Sequence, residues 1–467
     1  MSQPDHSDVL VVGAGVAGLS AAVALSEAGA RVRLLERRPY IGGRAYSYEH
    51  PALEETIDSQ HVVLGCCTNL LDLARKAGMA DSIRWYDELV FLEPNPAPNG
   101  RRSWLRPGPL PAPMHQTMSF LKAPMLGLAD KAAVASGLLR FLRGFPQADE
   151  ESFASWLKRT GQTERAIRHF WEPVVVGALN DTFERCSVKY AGKVFHESFL
   201  RSPEAGRLGV PAAPLSEFFA PIAALASRSG VDVRLKSGLE SLEQTPDGRW
   251  SVRANGETYL ADSVVLATDF KQTRVLLSRL PGPVEDKVHF EEGFDAFIPA
   301  PITTIHLWYD RDVTGLDHAV LLDTRIQWVF TKSRIRRWPA ERGSYQELVI
   351  SASWQELEMG REEILSSAIA EFEMFFPAAR QATLVKSGVL KEARATFSVT
   401  PGLDRYRPQQ ATPWKGLYLA GDWTATEWPS TMEGAVRSGR LAAGSVMGDR
   451  MRFMAPELPA TGLMKLL

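Results

Sequence analysis

The segment Val9-Leu10-Val11-Val12-Gly13-Ala14-Gly15-Val16-Ala17-Gly18 restricts the fold of this chain more than any other stretch. A short apolar run that predicts a buried strand meets three glycines at G-x-G-x-x-G spacing, and an alanine-rich helical pattern comes directly after. Gly13 allows the tight turn, Gly15 lets phosphate approach the backbone, and Gly18 lets helix and strand pack closely, with Ala14 and Ala17 completing the cradle. Anionic phosphate then meets the helix N-terminus, where unpaired N–H groups and the dipole favour negative charge. The next apolar run, Arg31 to Leu35, closes on Glu36, an acceptor for adenosine ribose hydroxyls. Strand, cradle, helix, second strand and acid in this order predict a dinucleotide site on a doubly wound α/β sheet.

The residues beyond the acid select the dinucleotide. Arg37-Arg38-Pro39-Tyr40-Ile41-Gly42-Gly43-Arg44 stands where a nicotinamide dehydrogenase would start its next helix. Gly42 and Gly43 admit close backbone approach, and Arg44 can neutralise phosphate through forked hydrogen bonds. Here the chain resembles the flavoprotein superfamily that includes amine oxidases and carotenoid desaturases, which implies FAD in place of NAD.

At 467 residues the chain exceeds one ordinary core, and 45% hydrophobic with 23% charged residues is a normal globular composition. A net charge of −2 argues against nucleic acid as a partner, since binding a phosphate backbone needs a basic excess. Met1-Ser2-Gln3-Pro4-Asp5-His6 has neither the basic start nor the apolar core of a secretory signal, so a cytoplasmic location is expected. Cys66, Cys67 and Cys186 have no metal-ligand spacing and fit a reducing compartment; no metal is expected.

The nucleotide half reads as three segments, 1–90, 206–270 and 401–448. In the second, Gly230 to Leu235 predicts another sheet strand, with Val233 beside the cofactor. Leu239–Gln244, Trp250–Ala254 and Thr258–Leu260, joined by Asp247-Gly248 and Asn255-Gly256 turns, predict a three-stranded meander. Val264 to Thr268 then returns to the sheet and brings Ala267 to the cradle. In the third, Gly416 to Asp422 is a strand ending in Gly421-Asp422, and Thr431-Met432-Glu433-Gly434-Ala435 opens a closing helix. Asp422 is placed for the flavin ribityl or phosphate region, and by resemblance the N–H of Met432, next to Thr431, meets the flavin pyrimidine carbonyl. Segments 91–205 and 271–400 remain for an α+β substrate domain, and 449–467 for a tail. Pro94, Pro96, Pro98, Pro107, Pro109, Pro111 and Pro113 make the first of these irregular. Leu138, Leu142 and Phe145 recur at helical spacing beside Lys131, Arg140 and Arg143. A basic amphipathic helix on anionic membrane is one reading of them, and an ordinary core-facing helix is the commoner one. Leu458, Leu463, Leu466 and Leu467 of the tail offer a second membrane contact.

Asp58-Ser59-Gln60-His61-Val62-Val63-Leu64-Gly65-Cys66 is similar to the flavin-reaching segment of plant-type carotenoid desaturases. A closer likeness is to the squalene-associated hydroxysqualene dehydroxylases. It rests on this block, on Trp171-Glu172-Pro173 with Ala178-Leu179-Asn180, on Val210-Pro211 with Leu215-Ser216, and on Gly421-Asp422-Trp423-Thr424 with Met432 to Gly439. Amine oxidases usually carry an aromatic residue before Met-Glu-Gly-Ala, where this chain has Thr431, and a lysine on a strand that here reads Pro301 to Tyr309 without one. No cysteine adjoins the C-terminal motif, so noncovalent FAD is expected. The resemblance implies reductive loss of the allylic hydroxyl of hydroxysqualene, giving squalene for hopanoid synthesis, with hydride from flavin N5 and a separate donor that reduces the flavin. Departure of the hydroxyl needs a proton. His61 is the first candidate, oriented by Asp58, with Glu433 the alternate acid; otherwise His61 packs on the isoalloxazine. A phytoene-type desaturase and a non-catalytic flavin scaffold are the rivals. An insoluble substrate places the enzyme peripherally on the inner face of the cell membrane.

Overall fold

Three stretches far apart in the chain assemble one sheet. The structure is a computed structural model and describes residues 5–94, 101–282 and 292–467; Met1 to Pro4, Pro96 and Pro98 lie outside the described residues. Strand β1 (Asp5–Val12), helix α1 (Val16–Glu27) and strand β2 (Val32–Leu35) form the first unit. β1 pairs in parallel with β2 and with Glu257–Leu266; β2 pairs in parallel with Asp232–Arg234, and Glu257–Leu266 with Leu417–Leu419. Parallel strands covered on both faces need apolar side chains on both, which is why Leu10, Val11, Val264, Val265 and Leu266 are all at 0% exposure.

The meander forms as the turn residues require. Asn255 and Gly256 both take positive φ, 50° and 77°, the pair of left-handed conformations that matches the twist of a tight hairpin. One expectation changes. Thr258–Leu260 and Val264–Thr268 are not two strands but one, Glu257–Leu266, whose first half runs antiparallel to Trp250–Ala254 and whose second half runs parallel to Leu417–Leu419. The polar pair Asp262-Ser263 does not break it, because β1 pairs alongside from Tyr259 to Leu266.

Helix α1 is buried continuously from Val16 to Leu25, between the sheet and the closing helix Met432–Val446. Small residues permit that depth: a Cβ on Gly439 would lie 2.2 Å from the Ala17 carbonyl oxygen, and Ser20 Oγ donates to the Val436 carbonyl. Leu19 and Leu25, both at 0% exposure, contribute roughly 1.5–3 kcal/mol each through burial.

A second sheet of seven strands takes the order Leu384–Phe397, Pro299–Tyr309, Ser344–Ser351, Trp328–Thr331, His318–Leu321, Leu89–Leu92 and Arg102–Leu105. Leu89–Leu92 already belongs here, so the chain crosses over just before residue 90. A small third sheet sets Leu208–Pro211 between Val63–Leu64 and Ile83–Tyr86, fastening two of the sequence blocks together. Around Trp171, the rings of Phe141, Phe153, Trp156, Phe170 and Phe195 pack in stacked and edge-on pairs. Leu138, Leu142 and Phe145 pack against this core, and helix Leu128–Leu139 ends before Leu142. The apolar face considered for membrane contact therefore faces protein instead. Among the described residues no helix is long and apolar enough to cross a membrane.

Candidate flavin site

At the carboxyl end of β1 the glycine turn is built to a tolerance that side chains would violate. Gly13 has φ +106°, and a Cβ there would sit 2.6 Å from the Ala267 carbonyl oxygen; a Cβ on Gly18 would sit 1.9 Å from the Gly13 oxygen. Gly15 differs, since its nearest neighbour across the turn is Gly43 Cα at 3.8 Å. Its smallness serves no contact within the protein and leaves room for a ligand against the N-terminus of α1. Ala14 and Ala17 are buried in the turn, and Ala267 N donates to the Val12 carbonyl, holding the third strand against it.

Glu36, at the end of β2, accepts from Ala14 N at 2.8 Å and from Arg38 N at 2.9 Å, so its carboxylate is pinned beside the cradle. Glu36 N donates to the Arg234 carbonyl, which sets Val233 on the neighbouring strand next to it; Arg37 is exposed. The second glycine pair docks directly on the first. Gly42 N donates to the Ala14 carbonyl at 2.9 Å, and a Cβ on Gly43 would lie 3.1 Å from Gly15 Cα. Arg38, not singled out from the sequence, donates from Nη1 to the Gly43 carbonyl and ties acid and glycine pair together. Arg44 and Asp422 are brought together as an ion pair, and Ser430 Oγ donates to the other oxygen of Asp422. Gly421 takes φ +146°, and its N–H donates to Ser438 Oγ on the closing helix. Thr431 is the N-cap of that helix, its hydroxyl accepting from Gly434 N at 3.1 Å, and Met432 is the first helical residue, whose N–H has no intrahelical acceptor. These features fit FAD: a phosphate cradle, a ribose acceptor and a helix N-terminus linked to them through Arg44, Asp422 and Ser430.

The proposed acids are placed differently from the sequence expectation. Asp58 does not orient His61. Its carboxylate accepts from Leu215 N at 3.0 Å, from Lys332 Nζ at 3.2 Å and from Arg336 at 3.4 Å, and it is 1% exposed. Burial alone would raise its pKa, but the Lys332 and Arg336 charges hold it below the ordinary carboxylate range. His61 Nδ1 lies 2.8 Å from the Ser59 carbonyl, which can only accept, so Nδ1 carries the proton and Nε2 is left as an acceptor. Burial lowers the His61 pKa and keeps the ring neutral. Val62, beside it, is 37% exposed. Glu433 is committed elsewhere: Oε1 accepts from Asn69 N, Asn69 Nδ2 and Arg437 Nε, and Oε2 from Leu70 N. It anchors the start of helix Thr68–Lys76 and is not free to act as an acid.

Sequence reasoning missed Lys332 and Glu347. Lys332, 3% exposed, comes directly after strand Trp328–Thr331 and reaches Asp58, Gln60 Oε1 at 2.7 Å and Glu347 Oε2 at 2.9 Å. Pro301 to Tyr309 indeed lacks lysine, yet a buried lysine arrives from the short helix Lys332–Ile335. The available signal was Glu347, a carboxylate in the middle of the strand Ser344–Ser351, every residue of which is buried.

The flavin containing amine oxidoreductase family matches residues 16–447. The 15-cis-phytoene desaturase of Narcissus pseudonarcissus is 28% identical over 464 residues, covering 95% of this chain and 80% of that protein. The Synechococcus elongatus 15-cis-phytoene desaturase is 27% identical over 461 residues, covering 94% and 95%. Among solved structures, a Methanosarcina mazei oxidoreductase superposes with a TM-score of 0.72 at 18% identity, covering 94% of this chain and 100% of that one. Cyclohexylamine oxidase from Brevibacterium oxydans does so at 0.67 and 18%, covering 95% and 99%. With the match spanning both sheets and the cradle in place, the chain belongs to the flavin containing amine oxidoreductase family, and its cofactor is FAD.

Proposed function

We propose that this FAD-dependent oxidoreductase acts on a long isoprenoid and reduces hydroxysqualene to squalene in squalene and hopanoid biosynthesis. The observation that carries the reading is Thr431. At the position where an amine oxidase places an aromatic wall, this chain has a small hydroxyl already spent on capping the closing helix, which leaves no cage for a substrate amine. The sequence blocks shared with the squalene-associated family support the choice of substrate. Two of them join at Leu215 N on Asp58 and at the pairing of Val63 with Gly209. Bound reduced flavin supplies two electrons and a proton as a hydride equivalent, and a further proton converts the departing hydroxyl to water. The protein's part is to hold the cofactor on the cradle and to present the Gln60–His61 turn. His61, neutral with Nε2 open, enters as an acceptor that must first take up a proton before it can give one. The chain carries one such cradle, so a separate donor reduces the flavin.

Contact with the inner face of the cell membrane is assigned to a different surface from the basic helix. Met114, Met118 and Leu121 are 42%, 46% and 56% exposed, and Leu463 N donates to the Ala112 carbonyl, which brings Leu466 and Leu467, 82% and 56% exposed, to the same region with Lys122 and Lys465. Flotation with anionic vesicles should retain the wild type and lose a Leu121→Asp, Leu466→Asp double variant; equal flotation removes this surface.

The second reading, a phytoene-type desaturase, is favoured by the names of the relatives at 26–28% identity. Anaerobic mixing separates the two. Reduced protein with hydroxysqualene should yield squalene and oxidised flavin, whereas a desaturase reduces its flavin on a polyene. A flavin spectrum that neither substrate perturbs would leave only a scaffold.

A further inference from the structure

We propose that Lys332 is the positioning residue of the turn Gln60–His61, which the family resemblance directs toward the flavin, and that a proton bound or released at Glu347 governs how firmly Lys332 holds it. The ammonium of Lys332 donates to Gln60 Oε1 at 2.7 Å and to Asp58 Oδ1 at 3.2 Å, and forms an ion pair with Glu347 Oε2 at 2.9 Å. The Lys332, Asp58 and Glu347 side chains are 4%, 1% and 0% exposed. Because Gln60 Oε1 is committed to Lys332, its amide nitrogen is turned onto the His61 carbonyl, so the lysine fixes the rotamer that shapes the turn.

A buried set of this kind is costly unless its charges balance. Lys332 and Arg336 carry positive charge against Asp58 and Glu347, and the two acids are not held alike. Asp58 accepts from a backbone N–H and from both cations, whereas neither carboxylate oxygen of Glu347 has a hydrogen-bond partner among the described residues, so that Lys332 answers it by charge alone. Glu347 is therefore the acid that gives up its charge: burial pushes its carboxyl up to about 7, with Lys332 pulling the other way. Other groups facing it do not compete near neutrality. His306, opposite Glu347 on the adjacent strand, is pushed down to about 3 by burial, and Tyr345, on the same strand as Glu347, is raised well above its ordinary range. His50 and Glu55 stand further out and act on His306 and Tyr345. With Glu347 ionised, Lys332 is shared between two hydrogen-bond acceptors and a second negative charge. With Glu347 neutral, the pull from that side falls and Nζ is drawn to Asp58 and Gln60, tightening the turn.

The inference rests on the flavin assignment and not on the choice of isoprenoid, so the test contains no substrate. FAD-loaded full-length protein is titrated while the carboxylic acid band is tracked by difference infrared spectroscopy and the visible circular dichroism of the bound flavin is recorded alongside. The wild type should show an acid band that disappears with a midpoint near 7 and a dichroism change with the same midpoint. Glu347→Gln, which keeps the shape, should remove both, and Lys332→Gln should abolish the dichroism change while leaving the flavin bound. The proposal is overturned if no band that Glu347→Gln removes titrates between roughly pH 6 and pH 8, or if Glu347→Gln keeps the wild-type dichroism profile. Should Lys332→Gln fail to fold, Glu347→Gln decides alone. A wrong substrate leaves every one of these readouts in place.

Discussion

Replacing Glu433 with glutamine separates an anchoring carboxylate from a catalytic one. Oε1 holds Asn69 N at 3.1 Å, Asn69 Nδ2 at 3.1 Å and Arg437 Nε at 2.7 Å, while Oε2 holds Leu70 N at 2.7 Å. All of these partners are donors, and an amide offers only one oxygen. If that oxygen takes the Oε1 position, the new NH₂ confronts Leu70 N and leaves a buried backbone donor unpaired, at a cost of about 1–3 kcal/mol. Arg437, whose side chain is 7% exposed, keeps a bond to the neutral amide oxygen but has only Glu457, itself 45% exposed, as a charged partner, and the loss of its buried one costs a further ~1–2 kcal/mol. The sum, about 2–5 kcal/mol, is a large fraction of the ~5–15 kcal/mol by which proteins are stable. Urea denaturation monitored by tryptophan fluorescence and flavin release should show the loss. Protein pre-reduced below its midpoint should still form product in a single turnover. A stability change under ~1 kcal/mol accompanied by loss of product would refute the reasoning and return Glu433 to the acid role.

Glu347 makes stability depend on pH with a definite sign. Its folded pKa, about 7, lies above the ordinary 4.5, so the native state binds the proton more tightly and this contribution is complete below 4.5 and lost as pH rises through 7. The shift corresponds to about 3 kcal/mol. Urea midpoints should decline across that window in the wild type and much less in Glu347→Gln, and parallel curves would contradict the assignment. Gly18→Ala, whose new methyl would meet the Gly13 oxygen at 1.9 Å, should not assemble the cradle. Gly15→Ala meets nothing closer than 3.8 Å and should fold normally yet bind FAD poorly; a fully flavinated Gly15→Ala protein would show that phosphate does not approach there. Thr431→Ala should cost about 1 kcal/mol through loss of the N-cap and leave flavin content unchanged, as measured by denaturation and by absorbance.

How far the site can be read from the chain depends on the range over which each feature is enforced. Gly13, Gly18, Asn255 and Gly256 are legible because a turn's φ angles and its closest contacts are set within a few residues, and the central strands because burial on both faces produces unbroken apolar runs such as Val9–Val12 and Val264–Leu266. The acids are misread because proximity in sequence does not mean proximity of side chains. Asp58 and His61 are three apart, a spacing that stacks side chains only on a helix, and residues 58–62 are not helical, so each finds its own partner. Glu433 is adjacent to Met432, but one step along a helix rotates the side chain by about 100°, away from the crevice and onto the start of Thr68–Lys76. Lys332 is invisible for the complementary reason. Its acceptors are separated from it by as much as 274 positions, and nothing local distinguishes it from a surface lysine until Ser344–Ser351 is seen to be buried throughout with a carboxylate at its centre. A charge that no local rule explains must be answered by another charge from elsewhere in the chain, and the strand carrying Glu347 is the place to look for one.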